Sequence, residues 1–215
     1  AGIHSGDSTM VLPPYSLSEK VINEIKEKTK NIGLKLKVKG FLNIQYAIKD
    51  EKVFIIEVNP RASRTVPFIS KAVGVPLAKM ASRIMAGKSL EELGLPESFE
   101  IDHFCVKESV FPFIKFPNVD TILGPEMKST GEAMGFDNNF GLSFAKSQIA
   151  SNNSIPLKGN AFISVKDKDK DKILNNAKKL IKFGFSLFAT SGTARYLITN
   201  GVKCKKINKV NQGSP

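Results

Sequence analysis

Glu57 and Asn59 stand two apart at the end of an apolar run, FIIEVNP, and Arg61 and Arg64 come directly after it across a proline. If the run is a strand, side chains alternate and these two project from one face, about 7 Å apart. A carboxylate and an amide oxygen so placed suit a hard divalent cation. Magnesium takes oxygen ligands, commonly one or two protein groups completed by phosphate oxygens and water. Gln45, on a neighbouring apolar segment, brings a third oxygen if the two segments pair. Pro60 ends the strand. At helical spacing Arg61 and Arg64 share a face, where two guanidiniums can clamp a phosphoryl oxygen or an anionic substrate. Ile55, Ile56 and Val58 predict that this strand end lies against a core, where a carboxylate is costly unless paired. A plain ion pair between Glu57 and either arginine fits as well, and E-x-N-P-R alone leaves both readings open.

The elements that must position these groups can be read around them. GFLNIQYAIKD and KVFIIEVNP predict two strands joined by a short polar turn at 49–52, a hairpin that brings Gln45 toward Glu57. Before it, SLSEKVINEIKEKTKNIGLKL has helical spacing at Val21, Ile22, Ile25 and Ile32, with Ser18 as N-cap and Gly33 as the stop. After it, VPFISKAVGVPLAKMASRIMAGKSLEEL predicts a helix in two pieces, broken near Gly74 and Pro76. HFCVKESVFPFIKF supplies short apolar segments, PNVDTILGPEMKSTGEAMG reads as loop, and NNFGLSFAKSQIAS as a further helix. Composition shifts at SNNSIPLKG, predicting a linker and a boundary between residues 1–152 and 153–215. Beyond it, NAFISV, DKDKILNNAKKLIKFG, FSLFAT, GTARYLITNG and VKCKKIN run strand–helix–strand–helix–strand, the pattern of a parallel sheet covered by helices. The expected class is thus α+β followed by α/β.

The chain has 215 residues with 41% hydrophobic content, enough to bury a core. Lys and Arg number 32 against 20 Asp and Glu, a net charge of +12. Only four of those basic residues are arginines (Arg61, Arg64, Arg83, Arg195), leaving 28 lysines. Nucleic-acid readers mix arginine with stacking aromatics. Here the lysines gather on polar helical stretches, so a solvated surface is the expectation and a lysine-rich nucleic-acid module the rival. Cys105 and Cys204 are far apart, without partners at metal-ligand spacing, which predicts two ordinary thiols in a reducing, cytoplasmic setting. No run approaches the roughly 20 apolar residues of a membrane span. The start, AGIHSGDST, and the end, KVNQGSP, read as internal cuts in a longer protein.

EVNPRASRTVPFISKAVGVPLAKMASRIMAGKSL resembles the large subunit of the carbamoyl-phosphate synthetases, members of the ATP-grasp superfamily. The likeness extends to AGIHSGDS and KGFLNIQYAIKD upstream and FPFIKFPNVDTILGPEMKSTGEAMG downstream, nearly the whole chain. Biotin carboxylases also carry E-M-N-x-R, but continue into a leucine–glutamine–valine–glutamate–histidine run that ASRTVPF does not match. RTVPF and LGPEMKSTGE resemble the second ATP-grasp half, which phosphorylates carbamate.

The resemblance implies that Gln45 and Glu57 coordinate magnesium (or manganese) beside the ATP phosphates, with Asn59 as a further ligand. It implies that Arg61 and Arg64 face the phosphate and substrate end, and that Gly2, Ile3, His4 and Ser5 contact the nucleotide. Gly2 and Gly6 allow close backbone approach, and His4 can donate to ribose or phosphate. It further implies a glutaminase subunit, an oligomeric full-length protein, and a role in pyrimidine and arginine biosynthesis. The glycine-rich flap and lysines of the partner ATP-grasp subdomain are not in this chain, so the 215 residues alone are expected not to turn over ATP. Another ATP-grasp carboxylate–amine ligase is the alternative within the enzyme class.

FSLFATSGTARYLITNGVK resembles the start of a methylglyoxal-synthase-like regulatory domain, truncated here after its third strand. Thr190, Ser191, Gly192 and Thr193 come after a strand and open a helix, where free N–H groups and the helix dipole favour an anion. The resemblance implies that Ser164, Lys170, Thr190, Thr193 and Lys209 hold an effector phosphate, of a nucleotide such as UMP or IMP. Simple helix capping by Thr190 and Thr193 is the competing reading.

Overall fold

A computed structural model describes residues 3–209 together with Gln212 and Gly213. The chain divides into two compact units, Ala1–Ser154 and Ile155–Pro215.

In the first unit, α1 (Glu19–Lys35) forms where expected, and the Ser18 hydroxyl accepts from Val21 N at 3.4 Å. Val21 is fully buried at its inner face. Gly33 is not the stop. The helix runs two residues further, and Lys37, at φ 51°, takes the left-handed position. Lys37 N then bonds Leu34 O and Val38 N bonds Gly33 O, a Schellman ending supplied by lysine instead of glycine.

Strands β2 (Asn43–Lys49) and β3 (Lys52–Asn59) pair antiparallel as a separate hairpin. Asp50 and Glu51, at φ 51° and 60°, make its two-residue turn, both left-handed as such tight connections require. The hairpin leans on α1: Tyr46 OH lies 2.8 Å from Thr29 Oγ1, Lys28 Nζ donates to Val53 O, and Ser18 Oγ donates to Glu51. One expectation fails here. Phe54, Ile55 and Ile56 are 50%, 49% and 61% exposed, and Glu57 is exposed too, so this strand end is not pressed against a core. A two-stranded ribbon with one helix beside it leaves much of its apolar surface open, and Glu57 therefore needs no partner in order to fold.

The helix predicted in two pieces is α2 (Val66–Val73) and α3 (Leu77–Met85), separated at Gly74, which is left-handed at φ 70°. Strands β1 (Met10–Leu12), β4 (Phe104–Val110) and β5 (Gly131–Asp137) form an antiparallel sheet in the order β1-β4-β5. GEAMG, read as loop, is thus the start of β5. On one face, Cys105 packs with Phe68 and Ala72 of α2 and with Met10, Leu12 and Met134. The other face carries α4 (Phe140–Ala150), started by Asn139 Oδ1 accepting from Leu142 N. That helix sits so close that a Cβ on Gly135 would overlap Ser143 O, and Ser143 Oγ bonds both Phe104 O and Gly135 O.

The second unit is the expected βαβαβ run: β6 (Gly159–Ile163), α5 (Lys170–Lys182), β7 (Phe185–Thr190), α6 (Ser191–Thr199) and β8 (Lys205–Ile207). Its strands are parallel in the order β6-β7-β8. Ile163, Ala177, Leu187, Ala189, Ala194, Leu197 and Val202 form its core. Both cysteines are free thiols. Among the described residues no helix is long and apolar enough to cross a membrane.

Candidate functional site: a carboxylate–amide cleft and an uncapped helix start

A cleft of about 870 Å³ opens in the first unit between the 3–8 loop, the β2–β3 hairpin and the 61–69 segment. The hairpin register sets its chemistry. Gln45 lies directly opposite Glu57, and Asn43 directly opposite Asn59. Partners across a ladder share a face with Cβ atoms about 4.5–5.5 Å apart, so one carboxylate and three amides stand together at the strand end. The register shifts between Gln45 and Tyr46, leaving Ile56 as an extra residue on β3. Without that bulge, Phe54 and Glu57, three apart, would lie on opposite faces; with it they share one.

Gln45 and Glu57 line the cleft, as do Arg61 and Arg64. Asn59 is half-buried and is not among the residues lining the cleft, and its Nδ2 is sealed from solvent with no hydrogen-bond partner among the described residues. The arginines are not on a helix as their spacing suggested: they occupy a bend and a turn before α2, which starts at Val66. Arg61 Nη1 donates to Ala62 O at 3.0 Å, and Arg64 Nη1 touches Met127 Sδ. Among the described residues, neither guanidinium pairs with a carboxylate, so the plain ion-pair reading of Glu57 is not what this fold forms. No group of three or more His, Cys, Asp and Glu side chains converges among the described residues. One carboxylate with amide oxygens is instead the sparse donor set of a magnesium ion completed by phosphate oxygens. The residues present fit that group.

Gly2 lies outside the described residues. Ile3, His4 and Ser5 line the cleft. His4 Nδ1 accepts from Gly6 N at 3.0 Å, which leaves Nε2 as the N–H donor of the neutral ring. A Cβ on Gly6 would lie 2.9 Å from Met127 Sδ and 3.1 Å from His4 Nδ1. A larger residue at this position would have to displace the Met127 thioether and crowd the His4 ring.

Two groups at the cleft were not anticipated. Lys107 is 1% exposed, and its Nζ donates to Gly6 O at 3.2 Å and Ser109 Oγ at 3.4 Å, with no carboxylate among the described residues paired to it. Burial pushes this ammonium below its usual pKa, while Glu132 and Glu108 pull it partly back. Glu132 Oε1 is buried without a partner among the described residues. The signal was present in HFCVKESV: strand alternation puts Lys107 on the same inward face as Cys105.

In the second unit the five anticipated residues gather at one end of the parallel sheet. Ser164 Oγ lies 3.2 Å from Thr190 Oγ1, which donates to Thr193 Oγ1 at 3.5 Å; Val165 N donates to the same Thr193 oxygen. Thr190 occupies the N-cap position of α6, but its side chain makes no capping bond, so the capping reading does not describe it. The helix's first N–H groups keep no side-chain cap from it. Lys170 Nζ would lie 3.4 Å from a Cβ on Gly192 and pairs with Asp167 Oδ1 at 2.6 Å. Asp167 is held below the usual carboxylate range by Lys170 first, with Lys209 contributing at longer reach.

Residues 1–93 match the family model "Carbamoyl-phosphate synthase L chain, ATP binding domain", and residues 172–215 match "MGS-like domain". An ATP-grasp portion followed by an MGS-like portion is the class that this fold and these matches define. The chain is 55% identical over its full length to the carbamoyl phosphate synthase large chain of Archaeoglobus fulgidus and 52% to that of Pseudomonas putida, covering 20% of each. It is 51% identical to the large chain's C-terminal section from Aquifex aeolicus, covering 43% of it. Along its whole length the chain is similar to carbamoyl phosphate synthase large chains, and it spans about a fifth of the length of those from Archaeoglobus fulgidus and Pseudomonas putida. A biotin carboxylase domain of a single-chain bacterial carboxylase aligns with a TM-score of 0.47 at 16% identity, over 59% of this chain and 34% of that one.

Proposed function

We propose that this chain is the C-terminal part of the second ATP-grasp half of a carbamoyl phosphate synthase, residues 1–152, joined to the start of its effector-binding domain, residues 153–215. The whole enzyme would use ATP to phosphorylate carbamate, yielding carbamoyl phosphate for pyrimidine and arginine biosynthesis. The observation that carries this reading is the pairing of Gln45 with Glu57, both lining the cleft together with Asn43, beside two arginines free of carboxylates among the described residues.

Phosphoryl transfer needs positioning and charge neutralisation more than covalent chemistry. Gln45, Glu57 and Asn59 would hold magnesium, or manganese, against the ATP phosphates, and that ion would supply charge neutralisation there. Arg61 and Arg64 would face the transferring phosphoryl group and the carbamate, stabilising the charge that spreads over them. Gly2, Ile3, His4 and Ser5 would contact the nucleotide, with the His4 Nε2–H turned to an oxygen acceptor. Ser164, Lys170, Thr190, Thr193 and Lys209 would hold the phosphate of a UMP- or IMP-type effector. A glutaminase small subunit supplying ammonia, an oligomeric assembly and a cytoplasmic setting complete the proposal.

The test uses the full-length synthase that carries this segment. ATP formation from carbamoyl phosphate and MgADP, the reverse reaction, reports on this half alone. Glu57→Gln is expected to lower its kcat/KM by about a hundredfold or more, partly recovered at high magnesium. An unchanged value would remove the metal-site reading.

A further inference from the structure

Asp7 is 4% exposed and, among the described residues, forms no ion pair with a cation. Its two carboxylate oxygens are instead taken by backbone N–H groups far along the chain: Lys128 N reaches Oδ2 at 2.8 Å and Ser129 N reaches Oδ1 at 2.9 Å. One residue earlier, the Gly6 carbonyl accepts from Lys107 Nζ at 3.2 Å, Ser109 Oγ at 2.8 Å and Ser129 Oγ at 3.4 Å. At the other end of the loop, His4 N donates to Gly124 O at 2.9 Å. Residues 124–129 thus grip the His4–Asp7 loop at both ends. Between the grips stand His4 and Ser5, the two polar side chains that the loop offers to the cleft.

We infer that Asp7 is a positioning residue for the nucleotide: by fastening the loop to Lys128 and Ser129 it sets where His4 and Ser5 meet the ligand. The inference rests on the reading of this cleft as an ATP site. A buried carboxylate demands donors, and two backbone N–H groups fix both the position and the direction of the segment that supplies them. Side chains bind well only when their supports are themselves fixed, and loss of such a support commonly costs ten- to a hundredfold. No contact between Asp7 and the ligand is involved.

Asp7→Asn keeps the size of the side chain but turns an amide NH₂ toward one of the two backbone N–H groups, so one bond is lost. In ATP formation by the full-length synthase, this variant is expected to raise KM for MgADP about tenfold, while kcat at saturation stays within about threefold. A purely structural Asp7 would lower the melting temperature without that split, and an unchanged KM overturns the inference. If Asp7→Asn does not accumulate as soluble protein, Asp7→Glu is used under the same criteria, since it keeps the charge but overreaches by one methylene. His4→Ala separates the two layers. If it leaves KM for MgADP unchanged, the nucleotide reading of the cleft fails and the inference falls with it. If His4→Ala raises KM and Asp7→Asn does not, the positioning role alone is wrong.

Discussion

Gln45 and Glu57 face each other directly across the β2–β3 hairpin, at the point where the ladder breaks register and Ile56 is left over. A bulge bends its strand and re-aims the side chains beyond it. Here it delivers an amide and a carboxylate to one edge of a cleft, with Asn43 and Asn59 the next pair on the same face of the hairpin.

Two groups that serve one ion act as a unit, so their losses should not add. Gln45→Ala and Glu57→Gln are each expected to weaken MgADP use in the full-length synthase, and the double variant to be little worse than Glu57→Gln alone. The coupling should amount to about 1 kcal/mol or more. A double-mutant cycle on kcat/KM for ATP formation measures it; strict additivity would mean that the two side chains serve separate ends.

Lys107→Met is expected to stabilise the chain. A buried, unpaired ammonium costs more than a thioether of similar volume, and Ser109 and Ser129 would still donate to Gly6 O. The gain should be about 1 kcal/mol near neutral pH. Burial lowers the Lys107 pKa in the folded state below 10.5, so the unfolded chain binds the proton more readily. Stability of the parent therefore rises with pH across the interval up to 10.5 through this group. The advantage of Lys107→Met should narrow over that same interval. Thermal melts of both proteins at a series of alkaline pH values give the difference directly.

Thr193→Ala tests the second unit. Thr193 is 1% exposed and its hydroxyl accepts from Val165 N and from Thr190. Its loss should weaken binding of UMP or IMP about tenfold, with effector-free activity unchanged. Calorimetry on the full-length protein would show equal affinities for parent and variant if the phosphate sits elsewhere.

Periodicity exposed most of the fold. The Ser18 cap, the hairpin, the break at Gly74 and the entire βαβαβ run arise from local spacing and turn chemistry, which the folded chain obeys. The features that escaped depend on partners distant in sequence. GEAMG looks like loop because a strand containing two glycines has weak local preference, and it becomes β5 only by pairing with β4 and by letting α4 approach Gly135. Gly33 failed as a stop because Lys37 accepted the left-handed conformation instead. Arg61 and Arg64 have helical spacing on paper, yet Pro60 and the turn at 64–65 hold them outside α2. Of the residues lining the cleft, Gln45, Glu57 and both arginines stood out in the sequence as oxygen donors and guanidiniums, and His4 only through the resemblance. Asp7 and Lys107 were not, because their partners are backbone groups contributed from elsewhere in the chain.

The open side of the hairpin carries a practical consequence. Phe54, Ile55 and Ile56 are each about half exposed or more along β3, with Ile56 at the rim of the cleft, and short apolar β segments tend to zip onto copies of themselves. Preparations of this polypeptide will clump as they are concentrated, and a single Ile55→Lys exchange, which leaves the cleft residues in place, should keep it dispersed.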